Sequence, residues 1–209
     1  MPSAPSEILD ALESVLDIFL SDIRHRERAA YILCDNLVEM ACKTKHTQYC
    51  RRNATRPNTR CQFHEAIGLP GCRLSQQLRD RLQSRRDTRN LMQHQNVAVA
   101  VDLHASADAI LDIPEVVCRL WGRNALDNIR PWQRVAIRVV RLYSNSGDQA
   151  ARAQFENAMR DERWRGIAEE RNPRVNETII KCGLRTHWDI AVKQNPFQVE
   201  QLLNNVEGI

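Results

Sequence analysis

Hydrophobic positions along the chain recur at intervals of three and four residues, which is the period of an amphipathic helix. The first run follows Ser6, a candidate N-cap, and reaches Leu20. A second runs from about residue 23 to 49, and leucines at 74, 78 and 82 mark a third that leads into residues 89–94. A fourth is predicted from about residue 97 to 121, with Pro114 expected to kink it. We therefore predict an all-α fold.

Breaks between these helical runs suggest that the chain forms two structural units. Residues 50–60 are predicted to form a polar basic loop, and a short helix is predicted within 61–68, before a Leu-Pro-Gly turn. Composition changes again at 122–130, and Pro131 suits the first position of a further helix. We predict a helical bundle over residues 6–122. A smaller C-terminal helical appendage over 123–209 is expected to serve regulation or dimerisation.

Charge is distributed unevenly along the chain. Residues 1–42 carry 3 basic and 8 acidic groups, whereas residues 43–89 carry 12 basic and 3 acidic groups. Arginine supplies 26 of the 30 cations, and guanidinium groups suit bidentate phosphate contact and base stacking. Either a solvated surface or a nucleic-acid interface explains such a run, and both interpretations are open.

Two further patterns in the sequence predict the cellular compartment and whether the protein binds a metal. No apolar run is long enough to span a membrane and the start shows no signal-like segment, so we expect a cytoplasmic protein without membrane contact. The seven cysteines are expected to be reduced thiols. A zinc site is the alternative, but a tight Cys-x2–4-Cys pair is missing, so we predict no metal and no cofactor. The alternative would use Cys42, His46, Cys50, Cys61, His64 and Cys72.

The most informative segment combines an arginine, an amide and a histidine on one predicted helix. Asn90 and His94 are four residues apart and therefore share a face, and Arg89 has a side chain long enough to reach the same patch. A titratable base beside a fixed cation, without a built-in carboxylate or nucleophile, suits phosphodiester chemistry better than acyl transfer. These three residues are the catalytic candidates. A surface arginine and a hydrogen-bonded histidine at a helix end form the alternative.

The segment Arg89-Asn90-Leu91-Met92-Gln93-His94 resembles the Arg-polar-x3-His signature of HEPN domains, a superfamily of helical ribonucleases found in toxin and antiviral systems. The run from Arg28 to Met40 is similar to the first bundle helix of that family, and the resemblance covers about residues 20–122. It implies a homodimer in which two motifs face one cleft. It also implies metal-independent cleavage of RNA to 2′,3′-cyclic phosphate and 5′-hydroxyl ends. The resemblance further implies that the protein is a toxin or abortive-infection effector.

Control and substrate binding are expected to involve other residues. In one branch of the family a tyrosine two residues after the histidine is modified by a paired antitoxin. Asn96 stands there in this chain, so a different antitoxin or regulatory partner is expected. The rival prediction is a non-catalytic helical module that binds RNA or protein through the basic face of residues 43–89. RNA contacts are predicted at Arg85, Arg86, Arg51, Arg52 and Arg56.

Overall fold

The computed structural model describes residues 4–21, 23–94, 101–144, 192–193 and 196–207. Their regular structure is entirely helical, which confirms the all-α prediction. Asn96, Cys182 and the helix breaks predicted between 145 and 191 lie outside these ranges. Across the described ranges, every helix is too short or too polar to cross a membrane.

Seven α-helices and one 3-10 turn are described in chain order. Their bounds are α1 Ser6–Leu20, α2 Arg26–Arg52, α3 Phe63–Ala66, α4 Gln76–His94, α5 Leu103–Trp121, the 3-10 turn Arg123–Leu126, α6 131–144 and α7 Pro196–Glu207.

Local backbone chemistry explains where the helix starts differ from the prediction. Pro5, and not Ser6, is the N-cap of α1, because the carbonyl oxygen of Pro5 accepts from the backbone N–H of Ile8 at 3.1 Å. Helix α2 begins three residues later than predicted because His25 has a left-handed backbone conformation, with φ of 60°. Helix α5 begins where the carboxylate of Asp102 accepts a hydrogen bond from the backbone N–H of Ala105 at 2.7 Å.

The hydrophobic core lies where α1 and α5 pack against α2. The buried face of α1 includes Ile8, Leu12, Leu16 and Phe19, the residues that the helical period places together. The Phe19 ring meets the Tyr143 ring edge to face, at 5.6 Å between centroids, and so joins α1 to α6.

Residues on both sides of the predicted boundary at 122 belong to this same buried cluster, including Val135, Val199 and Leu203. The side chain of Gln133 donates to the Leu9 carbonyl oxygen at 3.3 Å. The division into two units stays a prediction.

Helix α4 lies antiparallel to α2. The loop that precedes it packs at the C-terminal end of α2, where Gly71 contacts Tyr49. At the other end, the guanidinium of Arg28 near the start of α2 donates to the Met92 carbonyl oxygen at 2.6 Å. One end of α4 therefore lies beside the last turns of α2, and the other end, with the Arg89–His94 motif, lies beside the first turns.

Candidate functional site

The helix continues through the motif, as predicted, and its described part extends to His94. Asn90 and His94 are one turn apart, so their positions fall on the same face of α4. Leu91, in the same turn as Asn90, is 42% exposed, whereas Met92 is buried in the core. These last described turns of α4 thus have a buried position at Met92 and an exposed one at Leu91.

Arg89 contacts both a neighbour in the motif and a residue of α2. Its Nη1 donates to Asn90 Oδ1 at 3.2 Å, and its Nε lies 3.6 Å from Asp35 Oδ2. Only 16% of the Arg89 side chain is exposed. The guanidinium is therefore largely buried between an amide and a carboxylate, and among the described residues its Nε has no hydrogen-bond acceptor.

Asp35 of α2 anchors this arrangement, although it belongs neither to the motif nor to the predicted basic face. Its side chain is 2% exposed and forms ion pairs with Arg86 and Arg89. Burial raises the pKa of Asp35, and the two guanidinium groups oppose that rise. Because an unpaired carboxylate at this depth would be costly, Asp35 fixes two arginines of α4 against α2.

The other arginines of this part of α4 are also paired with carboxylates. Arg85 binds Asp112 of α5 through its Nε, and Arg86 binds Asp35 and lies 5.0 Å from the centroid of the Phe63 ring. Arg81 also pairs with Asp112, at 2.7 Å. The RNA contacts predicted for Arg85 and Arg86 stay predictions, and in this structure both guanidinium groups join helices together.

The acidic partners of these arginines have a recognisable spacing in the sequence. Asp35 and Glu39 are four residues apart on α2, and Asp112 and Glu115 are three apart on α5. Each pair lies on one helical face, and each of the two aspartates is buried. Acidic residues spaced in this way on an otherwise apolar face indicate buried partners for basic residues elsewhere in the chain.

Arg51, Arg52 and Arg56 lie at the opposite end of α2 and are all exposed. Within the part of the chain that the structure describes, none of them forms an ion pair. These three predicted RNA-contact residues are therefore accessible to a ligand, whereas the predicted contacts Arg85 and Arg86 are mostly buried in ion pairs.

The cysteine and histidine segment links loops to α2. Both ring nitrogens of His46 have backbone partners: Nδ1 lies 3.0 Å from the Pro70 carbonyl oxygen, and Nε2 accepts from the Asn58 N–H at 3.2 Å. Cys72 Sγ donates to the Cys42 carbonyl oxygen at 3.3 Å. No three of the described His, Cys, Asp or Glu side chains are grouped to hold a metal ion. His46 positions the loops on either side of α3.

Comparisons with family models, curated proteins and solved structures found no match for this chain. The resemblance to HEPN domains accordingly depends on the motif and its place on α4.

Proposed function

We propose that this chain is a metal-independent endoribonuclease in which Arg89, Asn90 and His94 carry the chemistry. The observation that supports the proposal most directly is the 3.2 Å contact between the Arg89 guanidinium and the Asn90 amide, on the last turns of the helix that ends at His94. The Asp35 carboxylate, 3.6 Å away, positions Arg89, and 16% of the Arg89 side chain stays exposed. The last described turns of α4 thus carry a guanidinium, an amide and a histidine.

The reaction requires a base, an acid and a cation. A base removes the proton from a ribose 2′-OH, and the 2′-oxygen forms a bond to the adjacent phosphorus while the bond from phosphorus to the 5′-oxygen breaks. An acid gives a proton to that 5′-oxygen, which leaves as a 5′-hydroxyl, and a 2′,3′-cyclic phosphate remains. Arg89 stabilises the additional negative charge on the phosphorane, and Asn90 orients the phosphate or the histidine.

A single α4 supplies one histidine, whereas the reaction needs a base and an acid at once. We therefore propose a homodimer in which His94 of each copy fills one role. Leu91, exposed beside the motif, is an apolar contact that a second copy can cover. In the setting that the family resemblance implies, the enzyme is a toxin or antiviral effector of the cytoplasm, restrained by an antitoxin or regulatory partner.

A non-catalytic module that binds RNA or protein is the second candidate. One observation favours it: the arginines closest to the motif are paired with buried carboxylates, while the accessible ones lie at the other end of α2. In that case the basic surface alone would carry the function.

Cleavage of total cellular RNA in EDTA separates the two candidates. We expect the purified protein to cut RNA, the His94→Ala variant to be about 100-fold slower or more, and the fragments to end in 2′,3′-cyclic phosphates. Asp10→Ala is a matched control, since Asp10 is exposed on α1, and it should cleave at the parental rate. Binding without turnover by the parent protein would contradict the nuclease.

Mixing the parent protein with His94→Ala tests the shared site. If each site needs a histidine from both copies, an equal mixture after subunit exchange should keep about one quarter of the activity of the parent protein. Retention of about one half, the value for independent protomers, would exclude the composite site.

A further inference from the structure

The last turns of α2 carry a group of cations around an exposed aromatic ring. Lys45, Tyr49 and Arg52 are four and three residues apart and so share one face of α2. Arg73, in the loop before α4, joins them. We call these four residues the α2 platform.

Arg73 is brought to this face by the loop that precedes it. The Pro70 carbonyl oxygen contacts His46 Nδ1 at 3.0 Å, and Cys72 Sγ donates to the Cys42 carbonyl oxygen at 3.3 Å. Between them, Gly71 lies so close to Tyr49 that a Cβ atom at Gly71 would be 2.8 Å from the Tyr49 Cβ. Residues 70–72 are therefore packed along α2, which places Arg73 beside Lys45.

Lys45 shows that these cations affect one another. Its Nζ lies 5.6 Å from the centroid of the Trp121 ring. Burial lowers the pKa of Lys45 and the charges of Arg52 and Arg73 lower it further, while Cys72 opposes that change. Of the carboxylates that the structure describes, none pairs with these three cations. Positive groups held together without a carboxylate partner favour the binding of an anion, which relieves their repulsion.

The aromatic ring indicates which kind of anion. Tyr49 is 41% exposed although it is a large, partly apolar side chain, and cations lie around it. A positively charged surface with an aromatic side chain on which a base can stack is the arrangement that binds single-stranded nucleic acid. A free phosphate ion or an acidic peptide would use the cations but would gain nothing comparable from the ring.

We propose that the α2 platform is a second RNA-binding site, at which a base of single-stranded RNA stacks on Tyr49 and phosphates contact Lys45, Arg52 and Arg73. The proposal rests on RNA as the ligand of the proposed function and extends it to a surface away from the motif. Lys45 is ten residues along α2 from Asp35, the anchor of Arg89, and seventeen from Arg28, which contacts Met92; these separations correspond to about 15 and 25 Å of helix. A single strand of several nucleotides held on the platform is long enough to reach the motif.

Fluorescence anisotropy tests this site with a fluorescein-labelled single-stranded RNA of about 12 nucleotides, within the usual site size of such surfaces. All variants carry His94→Ala, so that the probe stays intact. Arg73→Glu should weaken binding about 10-fold or more. Arg24→Glu is the matched charge reversal, because Arg24 is exposed just before α2 begins, and it should change affinity less than about 2-fold. Equal losses in the two variants would overturn the site.

Substitutions at Tyr49 test stacking. Tyr49→Phe keeps the ring and should bind like the parent, whereas Tyr49→Leu should bind about 10-fold more weakly. Equal affinities of the Phe and Leu variants would overturn the stacking contact. Binding of double-stranded RNA as tightly as single-stranded RNA would do the same. Displacement of the probe by poly-glutamate at similar concentrations to unlabelled RNA would assign the surface to an acidic protein instead. Thermal unfolding of each variant confirms that the fold is intact.

The outcomes for the platform and for the nuclease are independent. If the protein without substitutions fails to cleave RNA but Arg73→Glu loses binding, the platform stands and the nuclease fails. If that protein cleaves RNA while the platform variants bind with unchanged Kd, the nuclease stands and the platform fails.

Discussion

Two groups of arginines from the same basic stretch of sequence have opposite environments. Along α4, the arginine row (Arg81, Arg85, Arg86 and Arg89) is paired with carboxylates of α2 and α5, and two of those carboxylates, Asp35 and Asp112, are buried. In the α2 platform, Arg52 and Arg73 are exposed and have no carboxylate partner among the described residues. The first group holds helices together, and the second remains available to a ligand.

The difference shows that local charge density is a poor guide to which cations face a ligand. Residues 43–89 are strongly basic and residues 1–42 are acidic, yet Asp35 and Glu39 of the acidic segment neutralise Arg86 of the basic one. Charges that are far apart in sequence are thus cancelled by helix packing. Among the described residues of the basic stretch, Arg51, Arg52 and Arg73 are exposed, have no carboxylate partner and lie towards the C-terminal end of α2.

Of the changes considered, removal of the Asp35 carboxylate should cause the largest loss of stability. Asp35→Ala leaves Arg86 and Arg89 largely buried without their shared counterion, so we expect a loss of about 3 kcal/mol or more in the free energy of unfolding. Urea denaturation measures it. Asp10→Ala removes an exposed carboxylate and should cost less than about 0.5 kcal/mol. Similar costs for the two variants would mean that the α4 arginine row does not stabilise the fold.

A methyl group at Gly71, beside the α2 platform, should cause a smaller loss of stability than removal of Asp35. Gly71 has φ of 94° and its added Cβ would meet Tyr49, so Gly71→Ala should cost about 1–3 kcal/mol in the free energy of unfolding and weaken RNA binding as Arg73 moves. Gly68→Ala is the matched control, because its new Cβ would come no closer than 3.6 Å to any neighbour. Its stability and affinity should be nearly unchanged, and a loss equal to that of Gly71→Ala would refute the explanation.

The smallest expected effect is a change in the salt dependence of RNA affinity, which should differ between the α2 platform and the α4 arginine row. Arg52→Gln should reduce the slope of log affinity against log salt by about 0.7, the contribution of one phosphate contact to a single strand. Arg81→Gln removes the same charge from a guanidinium paired with Asp112 and Glu115, so the slope should stay as in the parent protein. Anisotropy titrations at several salt concentrations provide both values. A smaller slope for Arg81→Gln would place the α4 arginine row in the RNA interface.

Much of the fold could be predicted because helical periodicity is a local property. The apolar positions of α1 are buried where the sequence places them, and α4 continues to His94 as expected. The starts of α1 and α2 were less predictable, because they depend on the Pro5 carbonyl and on the left-handed backbone of His25. Of the candidate site, the shared helix face of Asn90 and His94 followed from spacing alone, and its catalytic role stays a prediction.

The sequence by itself determined that the chain is helical, where most of the described helices run, and that Arg89, Asn90 and His94 lie on one helix. Only the tertiary structure decided that Asp35 anchors Arg89, that Arg85 and Arg86 pair with buried carboxylates, and that Arg73 joins Lys45 and Tyr49. The physical reason is that helical periodicity depends on neighbours three and four residues away. Charge pairing depends instead on which helices pack together, and that packing brings residues more than 25 positions apart to within a few ångströms.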